Sequence, residues 1–560
     1  MDWMRFDRAR RSVGPVGLDL VESYAQGRIS RRDFLKRGAV IGLSAPLLAS
    51  VLAACGGDGE ESPSPSGGTA GGGQKGGILR VATQTPAATL DPIGMQDLGA
   101  YGIIAQCFEF LSTLGEEGEI APGLAESWTP NDDRSVWTFQ LRKGVKWQDG
   151  SDFSSADVAA TMDRLVEAGN SGLKGVIEKG AVDTSDPDVA VISLTGPNLN
   201  FPYLVSVFNA QSPITPADYE TGTTLDGSPN GTGPWKLDSY DGSTKAVFSR
   251  NPDWWGGETL LDGQEVQFFD DLGTMVTAMQ GGSVDAIVQF QANGGEGLLN
   301  NPDFTVLEIQ ASTHRQIWMR CDTGQFADKR VRQALALTFD REAMVETLFQ
   351  GRGSVANDHI IPSFAPFYND SVPQRTKDDE AARQLLSAAG FPDGLKADLH
   401  AAQLQEIPDL AALIQSGAKA AGFDLQLAIE SLDTFYGAQW CPAEPADPPC
   451  SGAAELGIVD YGHRPTPDVF LNAALATNGV WNSSQYSSAD FDAAFKEFQS
   501  SLGIDDQIAA CGKIEAILNE DVPIGVPYFY NYLSGHSNSV TGVRVSALGQ
   551  MFVEKASLSS

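Results

Sequence analysis

The stretch LAESWTPNDDRSVWTFQLRKGVKWQDGSDFSSADV, residues 124–158, holds a strand signal followed by a helix signal. Within it, Val-Trp-Thr-Phe-Gln-Leu at 136–141 alternates large apolar side chains with others, the period of a half-buried strand. Ser154-Ser155-Ala156-Asp157 then reads as a helix N-cap, ahead of a helix predicted over 158–168. Working outward, 78–83 is strand-like, and 189–194 is a strand that ends at Gly196-Pro197. Asp328 caps a helix carrying Val331, Leu335 and Leu337; a second helix begins at Asp340 and stops at Gly351, a left-handed-cap residue in position. Further helices are predicted over 380–390 and 409–422, the latter leading into a strand at 425–429. Strands and helices following one another in both orders imply an α/β fold with mixed sheets. No solenoid-like repeat of fixed period is present.

With 560 residues, 42% of them hydrophobic, the chain is long enough for two or three cores rather than one. It carries 38 basic and 72 acidic residues, and nine of the basic ones but only five of the acids lie in residues 1–54. The body is therefore more acidic than the whole, and it repels nucleic acid and anionic lipid.

The N-terminus explains the asymmetry. A basic stretch precedes an apolar run over 38–54, broken only by Ser44, Pro46 and Ser50, in the order of an export signal. As a helix that run reaches roughly 25 Å, short for a membrane core of roughly 30 Å, and Pro46 weakens it further. Ser-Arg-Arg-Asp-Phe-Leu-Lys at 30–36 resembles the twin-arginine export motif, which implies cargo that folds before export. Leu-Ala-Ala-Cys at 52–55 resembles the lipobox of bacterial lipoproteins, with cleavage before Cys55 and acyl chains added to it. Residues 1–54 are thus expected to be a signal peptide. Residues 55–77, rich in Gly, Ser and Pro, are expected to be a flexible leash behind the lipid anchor. Its GGGQKGG lacks the pattern of a phosphate-cradling loop.

Six cysteines are present. Cys441 and Cys450 bracket a Pro-rich loop in a chain bound for a compartment that permits disulfides, and a bridge is favoured over two free thiols. Cys107, Cys321 and Cys511 are left over, and at least one is expected to be a buried small apolar side chain. The histidines His314, His359, His400, His463 and His536 are scattered, without metal-ligand spacing. No nucleophile motif comes with partners, so no metal, cofactor or catalytic residue is assigned.

Four blocks carry a family resemblance: residues 124–158, TLDP at 89–92, GTGPWKL at 231–237 and FADKRVRQALALTFDREAMVETLFQGRG at 326–353. In this order they resemble the extracytoplasmic solute-binding proteins of ABC importers, family 5, the peptide/nickel group. The resemblance implies a periplasmic-binding-protein-like α/β fold of class II (cluster C), with three lobes of mixed sheets and hinge closure. Lobe I would comprise 78–110, 232–310 and 520–560, lobe II 111–231, and lobe III 311–519. It further implies a monomer outside the cytoplasmic membrane that hands a peptide or peptide-like solute to an ABC permease and its ATPase. A non-peptide solute such as an oligosaccharide or chelated nickel, or a lipid-anchored hydrolase, is the alternative.

Most matched residues have a structural reading, Arg332 included, which is expected at a hinge or in a surface ion pair. Asp460, in Gly-Ile-Val-Asp-Tyr-Gly at 457–462, stands where the family places an aspartate that holds a peptide's α-ammonium. A desolvated carboxylate facing a cation suits that task, although an Asp capping the turn would look the same in sequence. Two departures are visible: Ile458 replaces a Trp of the family motif, and Leu404 stands where dipeptide binders have an Arg for the ligand carboxylate. Arg464 is a candidate to take that Arg's place. Tyr461 and the polar turn of Thr83 and Gln84 are further pocket candidates.

Overall fold

The computed structural model describes residues 75–86, 90–95, 97–116, 118–170, 172–222, 229–442 and 447–559. The export signal, Cys55 and the leash up to residue 74 lie outside the described residues; at the end of the expected leash, Lys75 pairs with Glu258 and the Gly76 N–H donates to the Leu260 carbonyl, so the chain is already docked on the body there. Among those described, no helix is long and apolar enough to cross a membrane.

Three sheets organise the chain. The first has seven strands in the order Phe304–Ile309, Tyr532–Ser537, Ala286–Phe290, Ile78–Gln84, Gly263–Phe269, Lys245–Arg250, Trp235–Asp241. Ile78–Gln84 runs parallel to both of its neighbours, and the other pairings are antiparallel. A four-stranded antiparallel sheet runs Ala125–Pro130, Val136–Leu141, Val189–Ser193, Val182–Asp186. The alternation at 136–141 acts as read: Trp137, Phe139 and Leu141 are buried, while Gln140 faces solvent. The helix that follows, Ser155–Glu167, starts in a capping box in which Ser154 and Asp157 satisfy one another's backbone N–H groups.

The third sheet runs Gly353–Val355, Tyr528–Tyr530, His314–Met319, Leu456–Tyr461, Leu395–Ala402, Phe423–Glu430, with Ile524–Gly525 also pairing with His314–Met319. Its mixed pairing follows from its connections: Leu395–Ala402 and Phe423–Glu430 are parallel, joined through the helix Ile407–Lys419. Elsewhere in this region, Arg341–Phe349 ends one residue before the position predicted. Gln350 itself adopts the left-handed conformation at φ 54°, and Gly351 repeats it at φ 75°. Arg332 is neither at the surface nor in an ion pair. It is buried and donates to the carbonyls of Phe326, Ala327, Asp521 and Val522, fastening the end of helix Ile504–Asp521 to the start of its own.

The chain passes between the two seven-stranded sheets twice, through residues 310–313 and through Asn531. It passes between the first sheet and the four-stranded region near Cys107 and again near Gly231. There the strands come so close that a Cβ on Gly231 would lie 1.9 Å from the Cys107 carbonyl oxygen, so only glycine fits.

Candidate ligand-binding site

The site is assembled around the inner strands of the third sheet. Leu456–Tyr461 is almost continuously apolar and buried, as suits a strand covered on both faces, and Asp460 is the half-buried exception. In register it sits opposite Arg315 of His314–Met319, a strand that is buried along its whole length despite reading His-Arg-Gln.

Arg315 gives its hydrogen bonds to Glu406 and Gln405 rather than to Asp460. Its Nε donates to Glu406 Oε1 at 2.7 Å, and its Nη2 donates to Glu406 Oε2 at 3.0 Å and to Gln405 Oε1 at 2.8 Å. The guanidinium lies 4.9 Å from the Tyr530 ring centre. Glu406 also accepts from Tyr528 at 3.3 Å and from Gln291, just beyond a strand of the first sheet, at 2.9 Å. Burial disfavours the Arg315 charge, and Glu406 together with Tyr530, Asp460 and Tyr528 outweighs that penalty, so its pKa lies above the ordinary value.

Asp460 instead receives the hydroxyl of Tyr436 on Oδ1. Burial first, and then the Asp460 charge, raise the Tyr436 pKa and keep that hydroxyl a donor. Tyr436 and Trp440 lie on the short π-helix Phe435–Trp440, which ends at the disulfide joining Cys441 to Cys450. From there aromatic rings meet in sequence: Tyr436 to Trp440 at 5.5 Å, Trp440 to Trp481 at 6.4 Å, Trp481 stacked on Tyr461 at 5.9 Å, and Tyr461 to Phe470 at 4.9 Å. Trp481 packs against the cores on both sides. Tyr101, on the helix Leu98–Cys107 beside the first sheet, reaches the same space. Burial pushes its hydroxyl up to about 12, Arg464 pulling it down and Asp97 and Asp460 raising it.

A seam continues away from Asp460. Asn200, next to the four-stranded region, donates to Asp468 Oδ2 at 2.8 Å and accepts from Gln507 at 3.2 Å. Phe208 meets His463 edge-on at 5.7 Å. Asp468 is buried at this seam, and desolvation pushes its carboxyl up to about 6. Burial likewise lowers His463 to about 3, leaving it neutral.

Of the residues singled out in sequence, Asp460, Tyr461 and Arg464 come together here. Thr83 is buried within the first sheet, where it lines a small cavity with Gln106 and Gln264, and the half-buried Gln84 ends the same strand. No hydrogen bond or ion pair joins either to Asp460 among the described residues. Leu404 is packed between two apolar clusters, and Ile458 is buried in the sheet. Sequence reasoning missed Tyr436, Trp440 and Trp481; the aromatic spacing in Phe-Tyr-Gly-Ala-Gln-Trp at 435–440, just before Cys441, was the signal for the first two. It also missed Tyr101 and the Arg315–Glu406 pair. Cys107 and Cys511 are buried free thiols and Cys321 is half-buried. Among the described residues no group of three or more His, Cys, Asp or Glu side chains is placed to hold a metal.

Comparison with known proteins agrees with this architecture. The glutathione-binding protein of Shigella boydii is 29% identical over 323 residues, a match spanning 57% of this chain and 62% of that relative, less than two thirds of its length. Heme-binding protein A of Haemophilus influenzae is 25% identical over 413 residues, covering 68% of this chain and 73% of its own. Among solved structures, a periplasmic binding protein associated with an ABC transporter of Helicobacter pylori, bound to the peptide STSA, superposes with a TM-score of 0.74. It does so at 21% identity, over 87% of this chain and 98% of that one, and so shares the fold. Residues 119–441 match the model described as bacterial extracellular solute-binding proteins, family 5 middle. The chain belongs to the family 5 bacterial extracellular solute-binding proteins.

Proposed function

We propose that the protein captures a peptide or peptide-like solute outside the cytoplasmic membrane and delivers it to an ABC permease driven by a cytoplasmic ATPase. The observation that carries this reading is Asp460: a half-buried carboxylate hydrogen-bonded by a tyrosine hydroxyl rather than by its neighbouring arginine, and set beside a run of aromatic rings. Such a carboxylate suits an ammonium group, which regains in charge-assisted hydrogen bonds what it loses in water, while the rings receive apolar or aromatic side chains.

The three sheets are read as the cores of three lobes, I over 78–110, 232–310 and 532–560, II over 111–231, and III over 311–530; the expected boundary at 519/520 moves because Ile524–Gly525 and Tyr528–Tyr530 pair in the third sheet. The paired crossings at 310–313 and Asn531 act as the hinge about which lobe III closes on a solute. The seam of Asn200, Asp468 and Gln507 is the closed contact between lobes II and III. A twin-arginine signal exports the folded chain, and acylation at Cys55 tethers it. The leash over 56–77 has a root-mean-square reach of about 25 Å, which raises the local concentration near the permease without fixing orientation.

The test is native mass spectrometry of the purified protein to identify a co-purifying solute, followed by titration of that solute against the tryptophan fluorescence. A saturable shift without turnover supports capture. Catalytic consumption of the solute, or an Asp460→Ala variant with full affinity, removes the reading.

A further inference from the structure

Lobes II and III have no direct chain connection: the chain crosses from the first sheet to each of the other two, and never from the four-stranded sheet straight to the third. Their seam is held by non-covalent contacts alone, and these part when the cleft opens. Among the described residues, Arg134 Nη2 of lobe II donates to the Leu502 carbonyl at 2.5 Å, and the Leu199 N–H to the Gln499 carbonyl at 3.3 Å. From lobe III, Asn472 donates to the Lys174 carbonyl at 3.1 Å. Asn200 adds its bonds to Asp468 and Gln507. None of these bonds joins opposite charges, since Arg134 takes a carbonyl and Asp468 an amide.

Asp468 is sealed by this contact. It is 2% exposed, and its Oδ1 has no hydrogen-bond donor among the described residues. Asn200 faces it from lobe II, and Thr466 from the turn ahead of it. Helix Ile504–Asp521 brings Gln507 and the Cys511 thiol, which burial keeps protonated; Asp505 and Asp506 open that helix, and Asp506 acts on Arg134. His463 is neutral, and Arg464 and Arg134 give their hydrogen bonds to carbonyls. No cation therefore offsets the desolvation, and an ionised Asp468 costs free energy in the closed seam that it does not cost in water. The Asn200 amide and the Thr466 hydroxyl favour the charge, but burial outweighs both and pushes the carboxyl up to about 6. Once the lobes part, water reaches the group and its ordinary value of about 3.9 returns.

We propose that the seam is a proton-operated latch: closing lobe III on lobe II places a proton on Asp468, so a mildly acidic medium favours the closed, solute-holding form and a neutral one the open form. The latch rests on the reading of lobe closure given above. Because the carboxyl holds its proton more tightly closed than open, its help to closure is complete below about pH 4, falls as pH rises through about 6, and is absent beyond. Between pH 7.5 and pH 5 the closed-to-open ratio rises about tenfold. Burial also raises Glu109 to about 7 and Glu515 to about 8, but neither is in the seam. Glu109 is held by Trp254 and Trp255 of lobe I, and Glu515 by Asn369 inside lobe III.

The test is single-molecule energy transfer on the solute-free full chain, with dyes on Glu178→Cys of lobe II and Ala493→Cys of lobe III in a Cys321→Ser background; both dye positions are exposed. Circular dichroism confirms that each variant is folded. Two efficiencies are expected, with a closed-to-open ratio about tenfold higher at pH 5 than at pH 7.5. Asp468→Asn keeps the neutral shape at every pH, so its ratio stays at or above the acidic wild-type value at both, whereas Glu109→Gln and Glu515→Gln keep the wild-type response. Two populations whose ratio ignores pH, or a pH response that survives in Asp468→Asn, overturn the latch while lobe closure stands. A single efficiency at both pH values, unchanged when Arg134→Ala and Asn200→Ala are combined to break the seam, overturns lobe closure and the latch together.

Discussion

Two arginine–carboxylate neighbourhoods lie on adjoining parts of the same sheet and are treated in opposite ways. At the junction of the large sheets, Arg315 and Glu406 are nearly sealed from water, with side-chain exposures of 2% and 6%, and they use one another fully. Nearby, among the described residues, the Asp460 carboxylate has one hydrogen-bond donor, the Tyr436 hydroxyl, and the Arg464 guanidinium one acceptor, the His463 carbonyl, neither of them an opposite charge. A saturated pair specifies how two sheets meet. A strand carboxylate hydrogen-bonded by a single hydroxyl specifies less within the chain, and on the reading proposed above its remaining acceptor positions receive the solute.

The contrast breaks first at Glu406. Glu406→Gln keeps the volume but strands a buried cation, and is expected to destabilise the fold by about 3–5 kcal/mol in chemical denaturation; a loss under about 1 kcal/mol would mean that the junction is not structural. Asp468 sharpens the comparison as an intermediate case, a buried carboxylate with neutral partners only. Its pKa is raised by burial to about 6, above the ordinary value near 3.9. Its contribution to stability is therefore fully present below about pH 4, is lost as pH rises toward 6, and is flat beyond. The span is roughly 2–3 kcal/mol, and Asp468→Asn should erase that slope in denaturation curves taken between pH 4 and 7. Asp460→Asn should leave stability within about 1 kcal/mol yet weaken solute binding by roughly 2 kcal/mol, about thirtyfold, in fluorescence titration. An equal loss of stability would place Asp460 with the structural charges instead. Tyr436→Phe removes one donor from that carboxylate and should weaken binding by about 1 kcal/mol, some fivefold, without moving Tm.

Local signals were legible where chemistry is local. The alternation at 136–141, the Ser154–Asp157 box and the Asp328 and Asp340 caps all depend on residues a few positions apart. The strand His314–Met319 was illegible, because it reads His-Arg-Gln yet is buried, and the carboxylate that answers Arg315, Glu406, is far away in sequence. The surface ion-pair reading of Arg332 failed for the same reason: its acceptors at 521 and 522 exist only once two helices meet.

The candidate site divides along that line. Sequence by itself determined the α/β class, the family and the aspartate worth attention, since motif order and side-chain period survive without coordinates. It also marked Cys441 and Cys450, nine residues apart, as candidates for a bridge. Only the tertiary structure decided which charges are spent and which are left open. Whether Arg315 is available to a ligand turns on where Glu406 lies, and burial acts on a charge through everything that surrounds it, not through its neighbours in the chain.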